Sequence, residues 1–101
     1  MQRITVEGLP DDPLAAAGMF HRDWVEPIES ALSRGKGLII SITPADHTHR
    51  EWRRAAVAML ARRHTPLRIN MVAGEGNHAG ALFDYLVSAP GVTGQYLEAA
   101  A

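Results

Sequence analysis

The chain contains no cysteine, which excludes a disulfide framework and any zinc site built on thiolates. It also lacks a long apolar run. A membrane span needs about 20 such residues, so no membrane partner is expected. Met1-Gln2-Arg3 leads into an alternating segment rather than an apolar leader core, and a cytoplasmic setting is the default expectation. No one sign of charge dominates: ten Lys and Arg face eleven Asp and Glu, for a formal net charge of −1. That balance offers no general attraction to nucleic acid or anionic lipid, so neither is expected as a partner. What is there is ordinary for a folded protein. A hydrophobic fraction of 47% in 101 residues suffices for one core and argues against disorder. A single domain is expected over residues 1–98, with a frayed alanine tail at 99–101.

Periodicity divides the chain into alternating elements. Arg3-Ile4-Thr5-Val6-Glu7 alternates polar and apolar residues and reads as a short strand. Asp12-Pro13 is a helix start, an N-cap acceptor followed by proline where its missing N–H costs nothing. Leu14, Met19, Phe20, Ile28 and Leu32 give an apolar helical face to about Ser33, which Pro27 should kink or split. Leu38–Ile42 is a continuous apolar run, the pattern of a strand covered on both faces. Thr48 and Glu51 fit a capping box opening a helix to about His64, with Trp52, Ala56, Met59 and Leu60 expected inside. Pro66 stops that helix. Leu67–Ala73 reads as a third strand, Asn77–Ser88 as a third helix burying Leu82, Phe83 and Leu86, and Val92–Leu97 as a last strand. The order β-α-β-α-β-α-β with short links predicts an α/β fold, a four-stranded parallel sheet flanked by helices.

Three stretches in this order resemble the C-terminal half of the short-chain dehydrogenase/reductase family. Gly37–Ile42 resembles the G-x-I-V-N-I strand leading to the catalytic serine. Leu67–Ala73 resembles I-R-V-N-A-V-A, the strand leading into the P-G cofactor loop. Gly91–Leu97 resembles the V-T-G-Q-x-L segment of the final strand. The resemblance covers residues 14–98 and implies a half-Rossmann domain, with Arg3–Glu7 standing for the fourth of seven strands. It leaves the nucleotide-binding half unmatched, T-G-x-x-x-G-x-G loop included. The family's Y-x-x-x-K tyrosine falls on Arg50 and its lysine on Arg54, while Thr43 stands near the serine position and Gly74-Glu75 at the P-G position. The implied protein is therefore a pseudoenzyme, a non-catalytic interaction domain working as a homo-oligomer or as an accessory or regulatory subunit of another protein. Family members associate through their two middle helices and final strand. The Arg3–Glu7 strand is expected at a sheet edge that a second copy or another protein covers.

Two constellations stand as alternatives. Gly74-Glu75-Gly76-Asn77-His78-Ala79 fits G-x-G-x-x-A between a strand and a helix, with Glu98 at the spacing of a ribose-binding acid. Glycines there let backbone N–H groups approach a phosphate, making Gly74, Gly76 and Asn77 the candidate phosphate contacts of a nucleotide-binding module. Asp46, His47, His49, Glu75 and His78 follow the C-terminal ends of neighbouring strands, where open α/β sheets gather ligands, and are the candidate residues of a small ligand-binding protein or enzyme. His-x-His at a helix start does not put both rings on one face, so no metal set is expected, and no cofactor is assigned. Arg50, Arg53, Arg54, Arg62 and Arg63 read as a solvated helix face.

Overall fold

A computed structural model describes residues 1–99; the last two alanines of the expected tail lie outside the described residues. Four strands, β1 (Gln2–Val6), β2 (Leu38–Ile42), β3 (Ile69–Ala73) and β4 (Tyr96–Glu98), form one sheet in the order β1-β2-β3-β4. Every neighbouring pair is parallel, with Ile4 beside Ile40, Ile40 beside Met71 and Met71 beside Tyr96. This is the α/β architecture expected from the sequence. Its sequential order corresponds to the half of a doubly wound sheet that lies to one side of the switch point.

The crossover from β1 to β2 is helical but divided. Asp12 caps α1 (Pro13–Met19) by accepting from the Ala15 N–H at 2.9 Å. A π-helical turn at Phe20–Trp24 then leads into α2 (Val25–Leu32). Pro27 thus sits in the first turn of α2, where an N–H lacks an intrahelical partner in any case, and the wide π turn takes up the break upstream. Leu14, expected on the apolar face, is 84% exposed. The buried stripe starts instead at Ala16 and Phe20, four residues apart.

Strand alternation sends two sets of side chains to two cores. Leu38, Ile40, Ile42, Ile69, Met71 and Ala73 meet Phe20, Ile28 and Leu32 together with α3 (Arg50–Arg63), which contributes Ala56, Val57 and Leu60. Ile39 and Val72 meet α4 (Gly76–Val87) through Ala79, Phe83 and Leu86 on the other face. The stripe of α3 is rotated from expectation. Arg53, Ala56, Val57, Leu60 and Ala61 are its buried residues, Trp52 is half-buried, and Met59 is 51% exposed.

Two local expectations fail for identifiable reasons. Thr48 does not form a capping box with Glu51. Its N–H and hydroxyl both donate to Asp46, which caps a 3-10 turn at His47–His49 instead. The last strand begins at Tyr96 rather than Val92. Asn70, fully buried in β3, donates to the Val92 carbonyl and accepts from the Gln95 N–H, both at 3.0 Å. Thr93 Oγ1 accepts from the Ile69 N–H. With Gly94 at φ +74°, these bonds hold residues 92–95 as a turn against β3.

Candidate functional site

The C-terminal ends of the parallel strands carry the loops after β2 and β3 and the end of β4, the edge where an open α/β sheet binds ligands. Two arrangements occupy it, one on each side of the sheet.

On the α4 side lies a polar cleft of about 390 Å³, lined by Arg3, Thr5, Glu7, Ser41, Thr43, Gly74, Glu75, Gly76 and Phe83. α4 packs over β3 and leaves this part of β1 and β2 open. The Arg3 guanidinium lies 3.9 Å from the centre of the Phe83 ring, a cation–π contact that holds it over the cleft floor. Gly74 is set by close packing: a Cβ there would come 2.5 Å from the Ala99 Cβ and 3.4 Å from the Ala79 Cβ. Gly76 opens α4 at φ +61° with open space around it, so its glycine is required by backbone conformation alone. Asn77 is exposed in the first turn. The candidate phosphate loop therefore borders a real cleft, but Glu7 and Glu75 also line it, adding two carboxylates to the wall that holds Arg3.

The five candidate ligand residues do not converge. His49 is buried, and both its ring nitrogens are engaged. Nδ1 accepts from Trp52 Nε1–H at 3.0 Å, and Nε2 meets the Asp11 carbonyl at 2.9 Å. That pairing assigns the proton to Nε2 and makes His49 a neutral tie between the chain before α1 and the start of α3. Asp46 is occupied in its cap, and the Thr48 hydroxyl and N–H hold its carboxyl below the usual carboxylate range. His47 is exposed beside it. Glu75 and His78 are exposed at the start of α4, on the opposite face of the sheet from α3. Among the described residues, no group of three His, Asp or Glu is placed to hold a metal ion.

On the α3 side lies an arrangement that the sequence reading missed. Arg53 is 2% exposed. Its Nη1 donates to the Thr43 carbonyl at 3.0 Å and to Tyr96 Oη at 3.1 Å, while its buried Nε has no partner among the described residues. Tyr96 donates onward to Glu98 Oε2 at 3.3 Å, and Glu98 Oε1 accepts from Arg50 Nε at 2.9 Å. Burial pushes the Tyr96 phenol above its ordinary range, and the Arg53 guanidinium only partly opposes that shift. A phenol held protonated in this way does not serve as a base near neutrality. The cluster ties α3 to the ends of β2 and β4. The missed signal was spacing, because residues 53, 56, 57, 60 and 61 fall at i, i+3, i+4, i+7 and i+8.

Compared with known proteins, residues 4–99 match the model of a family described as SDR-like, short chain dehydrogenase-like protein. No curated protein and no solved structure matches the chain.

Proposed function

Because the chain belongs to the short chain dehydrogenase-like family, we propose that it is a non-catalytic Rossmann-like interaction domain, joined to another protein chain through the open edge of its sheet. One observation carries this reading. β1 pairs with β2 on one side only and stands at the end of the strand order. Gln2 N–H donates inward to the Gly37 carbonyl, so by alternation the N–H and C=O groups of Arg3 and Thr5 point outward. Among the described residues, no hydrogen bond outside the β1–β2 ladder reaches them. The other edge, β4, has only three residues, and short edges resist pairing. The non-catalytic half of the reading draws support from Arg50, which stands at the family's tyrosine position and is committed to Glu98.

The test is sedimentation equilibrium of the wild-type chain and of Thr5→Pro over a range of concentrations, alone and with the suspected partner subunit where one co-purifies. Proline at this position removes an outward donor and leaves the inward ladder intact. The wild type is expected in an assembly and Thr5→Pro as a folded monomer. A second reading, phosphate binding at Gly74, Gly76 and Asn77, is favoured by the polar cleft beside that loop. NAD(H) and NADP(H) titrations decide it. A ligand of the folded state adds about 2.7 kcal/mol of apparent stability at a hundredfold excess over its dissociation constant. A monomeric chain with such a thermal shift overturns the interaction reading.

A further inference from the structure

We infer that the occupant of the β1 edge is β1 of a second copy, running antiparallel with the two Thr5 residues facing each other across a twofold axis. The inference rests on the interaction reading above and specifies its partner. The segment Arg3-Ile4-Thr5-Val6-Glu7 is complementary to its own reverse. Centred on Thr5, the antiparallel register sets Arg3 opposite Glu7 of the second copy, Ile4 opposite Val6, and Thr5 opposite Thr5. Opposite charges, aliphatic pairs and threonine pairs are the cross-strand combinations that stabilise a sheet.

The backbone agrees with this register. Residues that exchange both hydrogen bonds in an antiparallel pair must all point outward. Arg3 and Thr5 do so, since Gln2 points inward, and Glu7 follows directly on the last residue of β1. Centring on Ile4 also satisfies the backbone but leaves Arg3 opposite Thr5 and Glu7 opposite Met1, with no pair of oppositely charged side chains directly across. Neither Arg3 nor Glu7 forms an ion pair within the chain among the described residues, and both are exposed. β1 contains no proline to block pairing. The product is a continuous eight-stranded sheet, twice the four strands of one copy.

The chain has no cysteine, so Thr5→Cys introduces a single thiol. Facing residues of a hydrogen-bonded pair lie about 5.5 Å apart between Cα atoms, within the disulfide range of about 4.4–6.8 Å. Under mild oxidation Thr5→Cys is expected to give a covalent dimer. Arg3→Cys is not, because its two copies are offset by four residues, about 13 Å along the strands. Charge reversal supplies a second readout by sedimentation equilibrium. Arg3→Glu alone or Glu7→Arg alone weakens the dimer about tenfold, and the double reversal restores it. A dimer that neither cross-links at Thr5→Cys nor responds to the reversals overturns this pairing and leaves association elsewhere on the chain standing. A monomer at every concentration overturns the self-pairing, and the nucleotide titration then judges the broader reading independently.

Discussion

Arg53 offers the sharpest test of the physical account, because it is a buried cation with no anionic partner among the described residues. Its Nη1 makes two hydrogen bonds, and its Nε makes none among the described residues. A hydrogen bond from a charged donor contributes about 1.5–3 kcal/mol, and an orphaned buried donor costs about 1–3 kcal/mol. Burying a guanidinium without a counter-charge costs several kcal/mol more. The groups that Arg53→Met would release are not stranded: Thr43 is exposed, and Tyr96 is only half-buried and keeps Glu98. Gains and losses therefore cancel. Arg53→Met, which retains most of the stem's volume, is expected to fold with a stability within about 1 kcal/mol of the wild type. Arg53→Ala also loses the buried aliphatic stem and should cost about 2–4 kcal/mol. Urea unfolding reads the difference. With a slope near 1 kcal/mol per molar for a chain of this size, the two midpoints separate by about 2–4 M. The same variants report on Tyr96. Removing the guanidinium takes away the influence that holds the phenol down, so phenolate absorbance in a Tyr85→Phe background should titrate at still higher pH. Equal destabilisation by methionine and alanine, with the phenol unmoved, would refute the reasoning.

Acid provides a second test, at the contact between α2 and the end of α3. His64 Nε2 lies 2.6 Å and Arg63 Nη1 3.2 Å from Glu29 Oε2. The His64 hydrogen bond, with Arg63 second, holds the Glu29 carboxyl below its ordinary value of 4.5. A lowered folded-state value stabilises above the unfolded one, so this contribution is present above about pH 4.5 and is lost as pH falls through the folded value. Glu29→Gln should cost at most about 1 kcal/mol at neutral pH, since the pair is partly solvated. It should also flatten the loss of stability below pH 4.5, as read by urea midpoints across the acid range; an unchanged acid slope would sink the assignment. The glycines make an opposed pair. Gly74→Ala drives a Cβ to 2.5 Å from the Ala99 Cβ and should destabilise by about 1–3 kcal/mol. Gly80→Ala meets nothing within 4 Å inside α4 and should stabilise by about 0.5–1 kcal/mol. Thermal denaturation separates the two, and a shift of the same sign in both would contradict the packing described.

Much of the architecture is local information. The unbroken apolar run Leu38–Ile42 already says that β2 is covered on both faces. The alternation in Arg3–Glu7 already says that β1 is not, and the Asp12-Pro13 start of α1 is written in two adjacent residues. Palindromic charge at the β1 edge is likewise a property of five letters. Other features depend on neighbours remote in the chain. Asn70 turns the expected strand at Val92 into a loop through two bonds spanning more than twenty residues. His49, a candidate ligand on paper, becomes a structural tie because Asp11 and Trp52 reach both sides of its ring. Arg53 enters the buried face of α3 because β2 and β4 bring a carbonyl and a phenol to its Nη1. Patterning and capping operate within a turn or two of chain, so the sequence by itself determined the order of elements and which strands are covered on both faces. Hydrogen-bond partners of buried polar groups come from wherever the fold delivers them, so only the tertiary structure decided which histidines, arginines and glycines are committed to the fold and which remain free at the sheet's open edge.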